Sequence, residues 1–140
     1  MRPYCTGCFT REVGILILIF GGAYQGKLDY ALERFSAKEN QVYRCNNEDT
    51  SMPSGKIIYE IDRWILALIQ ADADVAENIR NFAVINKDAI VICNDISCGI
   101  VPIDAVMRKW REETGRALAV LARHSSQVVR LFCGIPSKVK

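Results

Sequence analysis

The sequence predicts an α/β domain of three layers, with helices covering both faces of a mainly parallel sheet of about five strands. Three observations carry that prediction. Ile15 to Phe20 and Ala89 to Cys93 are unbroken apolar runs, whereas a strand with one face in water would alternate. Between such runs the apolar spacing turns helical, as at Ile61, Trp64, Ile65, Leu68 and Ile69. The first run stops at Gly21-Gly22, so strand, glycine-rich turn and helix follow in that order.

Taken along the chain, residues 1–12 read as a polar arm without periodicity, and 13–140 as one domain. After the first strand, Tyr30, Leu32 and Phe35 give an amphipathic helix over Lys27 to Ala37. Gln41–Arg44 is a brief strand, and the polar, turn-rich stretch Cys45 to Gly55 is a loop. Lys56–Glu60 is a third strand, leading into the helix that begins at Ile61. Asp72 is placed to cap a further helix from Ala73 to Ile85, with Val75, Ile79 and Phe82 on its inner side. Ala89–Cys93 is the fourth strand, Asp104 to Arg123 the longest helix, and Val128–Cys133 the last strand, followed by a tail. Parallel sheets of this kind bind ligands beyond the carboxyl ends of their strands. That rule gathers Gly21–Lys27, the loop after Tyr59 and Glu60, Asn94–Pro102 and the tail after Cys133 at one edge.

Composition narrows the function. A chain of 140 residues with 50% hydrophobic content can bury a real core, and a net charge of +2 is too mild to argue for nucleic acid. No apolar run approaches the roughly 20 residues of a membrane span, and no secretion signal is evident, which predicts a cytoplasmic protein. Among the cysteines, Cys93 and Cys133 sit in apolar runs and read as buried thiols. Cys5 and Cys8 form a lone C-x-x-C pair without the second pair that a structural zinc site needs, and no metal-ligand set is predicted.

The chemistry concentrates after the first strand. Gly21, Gly22, Ala23, Tyr24, Gln25, Gly26 and Lys27 match G-x-x-x-x-G-K, the pattern of a phosphate-binding loop. Glycines let successive backbone N–H groups curl round an oxyanion, the helix that follows adds its positive end, and the lysine reaches the terminal phosphates. Leu28 stands where a Ser or Thr hydroxyl normally holds the magnesium ion, so Mg²⁺ must be held otherwise, or nucleotide binds weakly, or not at all.

Asn94-Asp95-Ile96-Ser97-Cys98-Gly99-Ile100-Val101-Pro102 resembles the N-E-V-G-x-G-I-V-P segment of the bifunctional adenosylcobinamide kinase/adenosylcobinamide-phosphate guanylyltransferases of cobalamin biosynthesis. Gly21–Lys27 is similar to that family's G-G-A-R-S-G-K-S loop. Arg108–Arg116 is similar to its R-x-F-R-D-x-x-G-R helix, and Gly134–Lys140 to its G-x-P-x-K-x-K tail. Order and spacing agree across residues 15–140, with a shortened middle. The resemblance implies a P-loop NTPase-like fold, GTP or ATP and a cobinamide-type corrinoid as partners, and a trimer. It also implies that the protein phosphorylates cobinamide and then transfers GMP to it through a histidine between the second and third strands.

Here the corresponding span, Val42 to Lys56, has no histidine, and the sole one, His124, ends the long helix. The guanylyl step is therefore expected to be lost. The family's acid at the end of the third strand, aligned through Trp64, falls on Tyr59; Glu60 lies one residue on and Asp62 at the start of the helix. The candidate catalytic residues are Lys27, Asp95 and Glu60, with Gly21–Leu28 as the nucleotide loop. Asp95 either orients substrate or water or simply caps a turn beside Asn94. Arg108, Arg111 and Arg116 could meet phosphates, but Glu112 and Glu113 among them suit a solvated face. Two functions follow: a cobinamide kinase-like enzyme, or an inactive protein that binds nucleotide or corrinoid for sensing or assembly.

Overall fold

The computed structural model describes residues 14–97 and 100–140, so the expected arm at 1–12 and the Cys5/Cys8 pair lie outside the described residues. The strands β1 (Ile17–Gly21), β2 (Val42–Arg44), β3 (Ile57–Tyr59), β4 (Ile90–Asn94), β5 (Gln127–Phe132) and β6 (Ile135–Lys138) form one sheet in the order β2-β3-β4-β1-β5-β6. The first five are parallel; β6 turns back antiparallel on β5, pairing Phe132 with Ile135 and Val129 with Lys138. The α/β class and mainly parallel sheet are as the sequence predicts. The sixth strand is an addition, formed by the stretch read from sequence as a tail. Its residues are all exposed and include Pro136, so it carries no apolar pattern and occupies an edge, where proline is tolerated.

The helices are α1 (Lys27–Arg34), α2 (Ile61–Gln70), α3 (Val75–Ile85) and α4 (Ala105–His124). Their distribution follows from the direction of each crossover. The step from β1 to β2 runs toward one edge of the sheet, and every later parallel step runs the other way. Because such crossovers are right-handed, reversing direction moves the connection to the opposite face. Accordingly α1 packs on one face, where Ala31, Leu28 and Phe35 meet Ile17, Ile19, Ile90, Ile92 and Leu131. On the other face α2, α3 and α4 enclose a larger core around Leu18, Val91, Trp64, Phe82, Ile79 and Leu121. The reversal falls between the neighbouring strands β1 and β4, which is where a ligand crevice opens in sheets of this kind.

Boundaries shift where local chemistry overrides periodicity. Trp64 is 1% exposed, tilts against Phe82 at 5.6 Å and donates its indole N–H to the Thr50 carbonyl at 3.2 Å. That bond anchors the polar loop before β3 to the core. Cys45, read as part of that loop, is instead buried, and burial pushes its thiol up to about 12. Cys133, expected in the core, is exposed at the tip between β5 and β6, with φ 50°. The cap expected at Asp72 falls on Asp74, whose carboxylate accepts the backbone N–H of Glu77 at 3.1 Å. Asp72 is in the left-handed region at φ 56°, making the turn out of α2, which is why the helix cannot start there.

This exchange of roles predicts opposite outcomes for neighbouring aspartates. Asp74→Ala should lower unfolding stability by about 1 kcal/mol through loss of the cap. Asp72→Gly should leave it unchanged or raise it, because glycine adopts positive φ without strain. Urea unfolding midpoints of the two variants measure both.

Candidate functional site

The carboxyl edge of the sheet is assembled by glycines and one buried acid. A Cβ on Gly21 would lie 2.4 Å from the Leu131 carbonyl, so the end of β1 can sit against β5 only as glycine. The Gly21 carbonyl accepts the Asp95 backbone N–H at 2.8 Å, tying β1 to the segment that leaves β4. Gly26 closes the loop in a left-handed conformation, φ 79°, and caps α1, whose first residue is Lys27. Tyr24, also left-handed at φ 58°, stands fully exposed at the crest. The far side of the loop is clamped by the β5–β6 turn: the backbone N–H of Cys133 donates to the Gln25 side-chain oxygen, and that of Gly134 to the Gln25 carbonyl at 3.1 Å.

Lys27 is 4% exposed, and its ammonium donates to the Gly22 carbonyl at 2.5 Å. Burial lowers its pKa, with the charge of Asp62 the largest effect in the opposite direction. Asp62, in the first turn of α2, is 2% exposed. Its carboxylate accepts the Asn94 backbone N–H at 3.0 Å and the Asn94 side-chain amide at 3.4 Å. Desolvation raises its pKa, against those hydrogen bonds. The Trp110 indole donates to the Asp62 carbonyl at 2.7 Å, bringing α4 to the same point. Cys93 beneath is fully enclosed, and burial lifts its thiol well above the usual range.

A cavity of about 470 Å³ opens between the loop and the end of β3, lined by Tyr24, Lys27, Tyr59, Glu60, Arg63 and Asn94 among others. Glu60 is left-handed (φ 59°, ψ 52°) and pairs with Arg63 at 3.2 Å. Of the sequence candidates, the structure brings Lys27, Glu60 and most of the Gly21–Leu28 loop to this one edge. Asp95 is at the same edge but does not line the cavity; its carboxylate accepts the N–H of Ser97 at 3.1 Å and the Ser97 hydroxyl at 2.5 Å. These two bonds close a local turn. Arg116 pairs with Glu112 at 2.5 Å and Glu113 at 3.2 Å on a solvated face, whereas Arg111 donates to the Ser97 carbonyl and holds the loop after β4. Lys140 caps the carboxyl end of α4 at the Ala122 carbonyl, 3.0 Å away.

Sequence reasoning ranked Asp62 behind Glu60, although its burial was legible. It precedes Ile65 and Ile69 by three and seven residues, which puts it on their face of the helix. The clamp at Gln25 had no signal, since it depends on a strand without pattern.

A divalent cation held in the usual way does not fit these donors. Leu28 turns into the apolar cluster beneath the sheet and offers no oxygen. The Asp62 oxygens are bonded to Asn94, and the carboxylates that line the cavity, Asp29 and Glu60, stand on separate elements. Among the described residues no group of three or more His, Cys, Asp or Glu side chains could hold a metal ion.

A mostly parallel sheet reversing at β1 and β4, with a glycine loop and buried lysine at its carboxyl edge, defines a P-loop-like α/β domain. The family model described as cobinamide kinase / cobinamide phosphate guanyltransferase matches residues 54–139, more than half of the chain, and the chain belongs to that family. The matched residues start after the glycine loop, so the loop stands on its own geometry. A comparison with curated proteins finds no match. Among the described residues, no helix is long and apolar enough to cross a membrane.

Lys27 gives this geometry a pH signature. Between its lowered folded pKa and 10.5 the unfolded chain binds more protons at this lysine than the folded one. Its contribution to stability therefore rises with pH through that window. Followed by urea unfolding from about pH 7 upward, wild type should gain stability relative to Lys27→Met as pH rises. A flat difference would place the ammonium in water.

Proposed function

We propose that the chain is a nucleotide-dependent kinase for a cobinamide-type alcohol and does not carry out the guanylyl transfer of its family. The observation that carries this reading is Lys27, buried beneath the glycine loop and facing the cavity that Tyr59 and Glu60 close from β3. Phosphoryl transfer asks the protein mainly for positioning and for charge that neutralises the phosphate oxygens. The loop N–H groups and Lys27 are placed to hold the terminal phosphate of GTP or ATP. The acceptor hydroxyl enters from the cavity; its oxygen bonds to the terminal phosphorus as the bond to the bridging oxygen breaks, leaving the diphosphate. Glu60 lines that approach and is placed to take the hydroxyl proton.

Loss of the second step is supported by the position of His124. The 20 residues of α4 run from the carboxyl edge back to the start of β5, roughly 30 Å away. His124 is at the far end, bonded through Nδ1 to the Val120 carbonyl. A histidine there cannot reach a phosphate held at Lys27. The second reading, a binding protein without turnover, is favoured by Leu28 and by the ammonium of Lys27 resting on the loop's own Gly22 carbonyl.

Incubation with terminally labelled GTP or ATP and cobinamide separates the two. The kinase reading expects phosphorylated cobinamide, reduced about 100-fold or more in Lys27→Ala. Saturable nucleotide binding without product over hours selects the binding protein. Transfer that survives Lys27→Ala removes the loop from the mechanism, and a guanylylated protein formed with GTP labelled at the α-phosphate overturns the lost second step.

A further inference from the structure

We infer that Arg63 is the second cation of the phosphate site, leaving Glu60 to grip the oligophosphate of a nucleotide, so that the site takes its ligand without a magnesium ion. This rests on the nucleotide reading above. Lys27 brings one positive charge to a ligand carrying several negative ones, and Leu28 offers no hydroxyl to a magnesium ion there. Arg63 lines the same cavity from the first turn of α2. Its only ion pair found among the described residues is with Glu60, at 3.2 Å, formed through Nε.

That pair is built to exchange. The Arg63 side chain is 50% exposed and that of Glu60 23%, and a pair with one half-exposed partner is weakened by water. A guanidinium fork on phosphate makes parallel charge-assisted hydrogen bonds, which are stronger. Both residues are fixed on one turn, because the Arg63 backbone N–H donates to the Glu60 carbonyl at 2.9 Å. Glu60 holds that turn in a left-handed conformation at the entry to α2.

The test is calorimetric binding of inorganic tripolyphosphate and of GTP, each in EDTA and in Mg²⁺, to the full chain. Wild type should bind tripolyphosphate in EDTA within about threefold of its affinity in Mg²⁺, and Arg63→Ala should weaken binding in EDTA by about tenfold or more. Arg63→Lys should fall between, since it keeps the charge and loses the fork. Glu60→Gln should tighten binding by freeing the guanidinium. Arg80→Ala, on the exposed side of α3, should match wild type. Binding that requires Mg²⁺, or an Arg63→Ala variant no weaker than Arg80→Ala, overturns the inference while leaving the loop intact. Absence of tripolyphosphate and GTP binding by wild type in both buffers overturns the phosphate-loop reading and this inference with it. Loss confined to Lys27→Ala overturns only the role of Arg63.

Discussion

The carboxyl edge of this protein depends on one buried carboxylate. Asp62 is sealed from water, and a charge so placed is tolerated only when its oxygens are bonded. Asn94 supplies both bonds, which fixes the first turn of α2 to the last residue of β4. The carbonyl of the same residue receives Trp110, so α4 is held at that point too. Asp95 then ties to Gly21 through the backbone, and the glycine loop inherits its position from this chain of contacts. The negative charge also faces Lys27 and offsets part of the cost of burying an ammonium. Were Asp62 replaced by an apolar residue, the Asn94 N–H would be stranded in the core and three elements would lose their common point.

Much of the fold was legible because its determinants are local. Unbroken runs such as Ala89–Cys93 read as strands buried on both faces, and the face formed by Ile61, Trp64, Ile65 and Leu68 as a helix laid on them. What escaped prediction depends on partners distant in sequence. The strand β6 has exposed residues throughout and exists because β5 lies beside it. Choosing between Asp72 and Asp74 required knowing which of them turned left-handed. Cys45 and Cys133 exchanged environments for the same reason: the loop carrying the first is drawn inward by Thr50 on Trp64, and the run carrying the second ends in a hairpin.

The candidate site divides in the same way. The loop Gly21–Lys27 was readable as chemistry because spacing alone encodes it, and the acids were not, because an acid's role depends on what it faces. Glu60 faces Arg63, Asp95 faces Ser97, and Asp62, nearest in effect to Lys27, faces Asn94. Three carboxylates within one edge thus have three different partners. Family membership rests on residues 54–139 and reaches the acids and the long helix, while the loop that precedes them argues from its own conformation.

The asymmetry of the two layers has a dynamic consequence. Among the described residues, one face of the sheet is covered by three helices and the other by α1, an eight-residue segment whose only buried residues are Lys27 and Ala31. A layer this thin has less to lose on opening than the three-helix layer, and its amides should exchange with solvent long before those of β4 or α4. The same short helix carries the lysine of the loop. An anion bound there would be the principal tether of its own supporting layer, so ligand capture and the local folding of α1 become a single equilibrium.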